Sequence, residues 1–151
     1  MLASIRPDDI DLALFVHVAG AMIAVGGVVT AAIATLVGWR DERSTLRRFA
    51  ATTLLTVALP GWIVMRVGAQ WTYSKEHLDS LTSDPTWIGL GFGIADGSGV
   101  ILLVALILGG IGLLRARRGK GDRLLRASGA IAAVLVVAYA VAVWAMGAKP
   151  T

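Results

Sequence analysis

The sequence predicts an all-helical membrane protein, a bundle of four transmembrane helices, from its composition, its hydropathy and the spacing of its charges. The chain of 151 residues is 56% hydrophobic and only 16% charged, with a mean hydropathy of +0.75. Soluble domains carry about a quarter charged residues, so an ordinary water-soluble globule is excluded. The same apolar content excludes a disordered chain. There are no cysteines, which removes disulfides, thiol nucleophiles and cysteine–zinc sites.

Four long runs that are almost free of charge predict the positions of the helices. We place the helices near 10–38, 47–70, 87–114 and 126–146. Each run has about the 20 residues, or more, that an α-helix needs to cross a hydrocarbon layer of roughly 30 Å. The runs are continuously apolar rather than alternating, which favours helices over barrel strands. Residues 1–151 are therefore expected to form a single four-helix transmembrane domain.

Basic residues collect in two alternate loops, and this asymmetry predicts the orientation of the bundle. Ten of the 14 basic residues lie in the segments 40–48 and 115–126. The positive-inside rule makes the side that holds them cytoplasmic, so an up-down bundle has both termini outside. We expect anionic lipid headgroups, and no nucleic acid, as the partners of these loops. The expected location is a bacterial inner membrane, crossed several times.

Small residues at helical spacing predict the faces through which the helices pack. Membrane helices associate through small residues that let backbones approach closely. Gly20 and Ala24 have this spacing on the first helix, and Gly89, Gly93 and Gly97 have it on the third. We expect these five residues at helix interfaces, within the chain or in a homo-oligomer.

Three ionisable residues lie within the apolar runs, and each is a candidate functional residue because an ionisable group in hydrocarbon is unfavourable unless it is paired or hydrated. His17, Arg66 and Asp96 are predicted to share the outer half of the membrane. One interpretation is a structural polar cluster, with an Arg66–Asp96 ion pair and His17 nearby. The other is a ligand, proton or cofactor site. Met65 adds a thioether, so His17 and Met65 are candidate ligands for haem or for a soft metal such as copper.

Two sequence segments resemble known small membrane proteins. The stretch LFVHVAGAMIAVGG (14–27) and the stretch WIGLGFGIADGSG (87–99) are similar to small bacterial four-helix integral membrane proteins of unknown function. The first stretch also distantly resembles the copper-resistance-D-like membrane proteins. The resemblance rests on His17, Gly26 and Gly27. It implies a four-helix membrane fold and leaves the function open.

The expected function is that of a non-catalytic accessory or scaffolding membrane protein, within a homo-oligomer or a larger membrane complex. The glycine-rich segment 89–99 lacks the spacing and the strand context of a dinucleotide-binding loop, and no nucleophile or metalloprotease motif occurs. One alternative is a protein that binds haem, quinone or copper at the His17, Arg66 and Asp96 cluster. A second alternative is an oligomeric transporter or proton-conducting unit that uses Asp96 and His17 as a relay.

Overall fold

Four long helices make up nearly all of the chain that the structure describes. The computed structural model describes residues 8–40, 45–75 and 86–148. Its α-helical elements are α1 (Asp8–Val37), α2 (Thr45–Thr53), α3 (Leu59–Lys75), α4 (Thr86–Ala116) and α5 (Asp122–Ala148). A π-helical segment, Leu54–Ala58, joins α2 and α3 into one continuous helix, termed here the second span.

The predicted all-helical fold with four membrane-length helices is confirmed. Each of the four helices is long and apolar enough to cross a membrane, and their mean hydropathy lies between 1.5 and 2.4. The helices run past the predicted bounds: the second span continues to Lys75, and α5 begins at Asp122. The sequence bounds were drawn where charges begin, whereas a helix can continue into the headgroup region with its backbone hydrogen bonds intact.

The second span departs from α-helical hydrogen bonding just before its proline. The backbone N–H of Leu59 donates to the carbonyl of Leu54, five residues earlier, where an α-helix would use the residue four earlier. Pro60 follows at once and has no N–H to donate to the preceding turn. The wider turn is therefore the local adjustment by which one helix includes a proline in its middle.

Glycines on both partners set the close packing of α1 against the second span. Gly20 lies directly against the backbone of Met65, and Gly61 lies directly against the backbone of Ala24, which is 1% exposed. Later residues of α1 contact earlier residues of the second span, so the two helices run antiparallel. A side chain at either glycine would collide with backbone atoms. Gly20 and Ala24 thus pack at a helix interface, as their spacing predicts.

The glycine series on α4 does not pack against the chain's own described helices, so its predicted interface within the chain is not seen, and an interface with another chain stays a prediction. Gly89, Gly93 and Gly97 are exposed, and a Cβ added at any of them would meet nothing within 4 Å in the described part of the chain. The core face of α4 is a different one. It includes Leu102 and Ala105, at 1% and 0% exposure, which lie five and eight residues after Gly97 and therefore on another side of the helix.

The larger of two buried apolar clusters in the described chain joins all four helices. Its members include Val28 of α1, Leu54 of the second span, Leu102 of α4 and Leu135 of α5, each no more than 1% exposed. The α4 and α5 helices pack along each other, and the Ser128 hydroxyl of α5 donates to the Ala105 carbonyl of α4 at 2.8 Å. The far parts of α3 and α4, by contrast, make few contacts with each other. A cleft opens between them there.

Candidate functional site

Arg66 and Asp96 form an ion pair across the cleft between α3 and α4. Nη2 of Arg66 lies 2.7 Å from Oδ1 of Asp96. The arginine side chain is 25% exposed and the aspartate side chain is 62% exposed. The two residues therefore meet as the cost of isolated charges predicts. The pair is open on the aspartate side and is not enclosed in the core.

His17 is positioned by a different contact. Its Nδ1 lies 3.0 Å from the backbone carbonyl of Met65. A carbonyl only accepts hydrogen bonds, so Nδ1 carries the proton and donates it, which assigns Nε2 as the acceptor nitrogen of the neutral ring. Gly68 makes this possible, because its missing side chain lets the α3 backbone touch the His17 backbone. His17 thus contacts the turn that carries Arg66, but no contact of His17 with Arg66 or Asp96 is described.

The described residues offer few donors for a metal or for haem. No group of three or more His, Cys, Asp or Glu side chains lies together among them. His17 supplies one ligand nitrogen, Nε2, in the arrangement usual for metal-bound histidines, in which the other ring nitrogen donates to a carbonyl. Met65 is 9% exposed, and the group of Met65 that contacts His17 is its backbone carbonyl. A copper or haem site on His17 and Met65 stays a prediction.

Beside the ion pair, an apolar cavity of about 300 Å³ lies in the cleft. The indole of Trp62 on α3 lies directly against Gly99 of α4. Asp96 lines the rim of the cavity, and Leu103 lines its wall. The Trp62 Nε1–H is buried and has no hydrogen-bond partner among the described residues. The cleft therefore combines an apolar interior with a buried donor and a charged rim.

A second polar cluster, which the sequence analysis did not single out, lies at the opposite end of the bundle. Arg47, at the start of the second span, is 1% exposed. Its Nε and Nη2 both lie 2.6 Å from Oδ1 of Asp122, the first residue of α5. Its Nη1 donates to the Gly38 carbonyl at the end of α1. One buried guanidinium thus connects the ends of three helices, and we term this contact the Arg47 clasp.

Two neighbouring arginines extend the Arg47 clasp. Arg48 donates from Nη2 to the Ala116 carbonyl at 3.2 Å, and this carbonyl at the end of α4 also accepts the Gly119 N–H. Arg126 lies 2.9 Å from Oδ2 of Asp122 and 5.8 Å from the ring centre of Trp39. The sequence signal for this cluster is Asp122 itself, the only acidic residue in the basic segment 115–126.

The two polar clusters are separated by about the thickness of a bilayer core. Nineteen residues separate Arg47 from Arg66 along the second span, a rise of about 28 Å at 1.5 Å per residue. Twenty residues separate Ala116 from Asp96 along α4, a rise of about 30 Å. The sequence predicts that Arg66 and Asp96 lie in the outer half of the membrane. Both residues lie about 28–30 Å from the Arg47 clasp along their helices, a distance close to the thickness of a hydrocarbon layer.

The three residues on which the family resemblance rests, His17, Gly26 and Gly27, all lie in the described part of α1. His17 and Gly27 face the second span, where Gly27 lies against Ala58, whereas Gly26 is exposed and meets nothing within 4 Å. The resemblance to copper-type and related membrane proteins stays an expectation. Comparisons with protein-family models, with curated proteins and with solved structures gave no match to this chain.

Proposed function

We propose that this chain is a non-catalytic scaffolding protein of a bacterial inner membrane, which assembles with another membrane helix through the far end of α4. The observation that carries the proposal is the open glycine series Gly89, Gly93 and Gly97. These residues leave α4 with a shallow face along which a second helix backbone could approach closely. A face of this kind is of little use to a helix that contacts only lipid.

The polar groups inside the bundle support a structural role for the rest of the chain. Arg47 contacts Asp122 in the Arg47 clasp, His17 hydrogen-bonds to the α3 backbone, and Arg66 pairs with Asp96. None of these contacts pairs a nucleophile with a base, the arrangement that covalent catalysis requires. The polar residues therefore fix the positions of the helices, and the function is carried by the outer surface.

The proposed orientation places the end of the bundle with the Arg47 clasp at the cytoplasmic face. Ten of the 14 basic residues belong to the two loops at that end, and both termini then lie outside. The Arg66–Asp96 pair falls near the outer boundary, where headgroups and water hydrate a carboxylate that is 62% exposed. This depth makes the exposure of Asp96 physically reasonable.

Photo-crosslinking in intact membranes tests the proposal. A photoreactive residue placed at Gly93 or Gly97 should form a discrete protein adduct, whose mass identifies a second copy of the chain or a different partner. The same residue at Val134 or Val137, which are lipid-facing on α5 at 61% and 64% exposure, is the matched control and should give none. Gly93→Leu should abolish the adduct formed from position 97 and leave the melting temperature of the purified protein unchanged. Equal adducts at all four positions, or none, would contradict the proposal.

The second candidate function is the binding of a ligand or redox cofactor, and the observation that favours it is the geometry of His17. The Nδ1 hydrogen bond to the Met65 carbonyl fixes the ring and leaves Nε2 as an acceptor. An absorption spectrum and a metal analysis of the protein purified from its native membrane test this candidate. A Soret band or stoichiometric copper that His17→Ala removes would support it, and a colourless, metal-free protein would contradict it.

A further inference from the structure

A groove between α1 and α5 opens at the basic end of the bundle, beside the Arg47 clasp. It has a volume of about 630 Å³, within the range of roughly 300–1,000 Å³ usual for small-molecule sites. Its floor is apolar and shallow because Ala130 and Ala133 contribute only methyl groups on the α5 side. Trp39 and Arg40 stand at its mouth.

The groove contains a buried hydroxyl that makes no hydrogen bond. Thr35 lines the groove, is 1% exposed, and its Oγ1 has no partner among the described residues. Two other threonines of the long helices behave differently. Thr30 and Thr52 donate to the carbonyl four residues earlier, at 2.7 and 2.9 Å, which is the usual solution for a threonine in a membrane helix. The Thr35 hydroxyl is instead directed across to α5, where Gly129 leaves room for it.

Arginine side chains lie at the mouth of the groove and beside it. Arg47 and Arg126 share the single carboxylate of Asp122. Arg126 also lies over the Trp39 ring, which fixes the indole at the mouth. Arg40 lines the groove and is exposed. An anion could therefore bind the Arg40 guanidinium here without breaking an ion pair of Asp122.

We propose that this groove binds one anionic glycerophospholipid of the leaflet next to the basic loops. The phosphate binds the Arg40 guanidinium, since arginine recognises phosphate through charge-assisted hydrogen bonds. A glycerol ester carbonyl accepts the hydrogen bond of the Thr35 hydroxyl, which lies two residues before the end of α1 and therefore deeper than Arg40. An acyl chain lies over Ala130 and Ala133. From headgroup to acyl chain, the lipid thus contacts a cation, a hydrogen-bond donor and an apolar floor.

Thermal unfolding of the purified full chain in uncharged detergent tests the site. Phosphatidylglycerol should raise the melting temperature more than phosphatidylcholine does at equal concentration. Arg40→Gln should weaken the apparent affinity for phosphatidylglycerol about tenfold, the loss expected for one charge-assisted hydrogen bond. Arg117→Gln removes the same charge from an exposed position outside the groove, and it should leave that affinity within about twofold. Equal losses in the two variants would overturn the proposal, because they would show only a general attraction of charge.

Two further comparisons test the acyl and carbonyl contacts. Ala130→Phe should fill the groove and abolish the phosphatidylglycerol shift, whereas Ala140→Phe, at an exposed position of α5 outside the groove, should preserve it. Thr35→Val should raise the melting temperature without lipid, because it removes an unsatisfied hydroxyl, and should reduce the lipid shift. An unreduced shift in Ala130→Phe or Thr35→Val would overturn the proposed pose. A full shift with glycerol phosphate alone would identify a plain anion site and would also overturn the lipid assignment.

Discussion

The Arg47 clasp allows a sharp test of which ion pair holds the bundle together. Asp122→Ala removes the carboxylate that two nitrogens of Arg47 approach at 2.6 Å, and it leaves a guanidinium that is 1% exposed without that partner. Breaking a fully buried pair in this way costs about 3–5 kcal/mol. Asp122 is 41% exposed, so water replaces part of its contribution. We therefore expect the free energy of unfolding to fall by about 2–3 kcal/mol.

The matched control is Asp96→Ala, which removes the aspartate of the other cross-helix pair. Arg66 is 25% exposed and Asp96 is 62% exposed, so this pair resembles a surface ion pair, worth about 0–1 kcal/mol. Both variants are measured by reversible unfolding in mixed detergent micelles, followed by tryptophan fluorescence. Equal losses in the two variants, or a loss below about 0.5 kcal/mol for Asp122→Ala, would refute the argument that burial decides the contribution.

A double variant separates the loss of attraction from the burial of a lone charge. Arg47→Met keeps much of the apolar volume of the side chain and removes its charge. In the Asp122→Ala background it should recover at least half of the lost free energy, because an apolar residue replaces a buried cation that has lost the Asp122 carboxylate. A further loss of stability in the double variant would show that the other donor contacts of Arg47, such as the one to Gly38, outweigh the cost of its charge.

Three further predictions concern packing, pairing and orientation. Gly20→Ala should cost about 1–3 kcal/mol because its methyl group meets the second span, whereas Gly26→Ala, which meets nothing within 4 Å, should be neutral or stabilising by up to about 1 kcal/mol. Equal effects in the same unfolding assay would contradict this. Asp96→Asn should cost less than about 1 kcal/mol, and Arg66→Gln should recover part of that loss in the double variant. Additive losses would argue against their pairing. A cysteine at Lys120 should react with an impermeant thiol reagent only after the cytoplasmic side is opened, and labelling of intact cells would reverse the orientation.

The helices and the Arg66–Asp96 contact were predictable because each depends on a local or a simple energetic rule. Hydropathy over about 20 residues decides whether a segment crosses a bilayer, and this rule predicted four membrane-length helices. The cost of an isolated charge in hydrocarbon brought together the arginine of the second span and the aspartate of α4. The position of His17 was predicted only in part. Its contact is with the Met65 backbone carbonyl, and every residue has such a carbonyl, so the sequence does not indicate which one is used.

The rotation of α4 about its axis could not be read from its sequence. The helix is apolar on all sides, so no polar face indicates which side meets lipid. Glycines also occur on more than one face: Gly93 and Gly97 are open, whereas Gly109 and Gly112 lie against α5. Spacing predicts that a glycine stripe allows close approach. It does not predict which stripe the chain uses for its own core and which stays open.

The Arg47 clasp was missed for a related reason. Counting basic residues assigns Arg47 to a loop that contacts lipid headgroups, whereas the structure buries it between Asp122 and Gly38. The helix begins at Thr45, two residues before Arg47, so the side chain belongs to the first turn of the second span. Burial of a loop arginine depends on how three helix ends meet, which is a tertiary feature.

The separation of the two polar clusters bears on where a partner of α4 would contact it. If the Arg47 clasp lies at one hydrocarbon boundary, Asp96 lies about 30 Å away, at the other. The residues of α4 before Asp96, which include Gly89 and Gly93, then extend into the headgroup region and beyond. Lipid chains do not fill a shallow helix face at that level, and water solvates it poorly because the neighbouring residues are apolar. The membrane helix proposed as the partner of α4 would therefore contact this face near its own end, in the headgroup region, and the crosslinks expected from position 93 should map there.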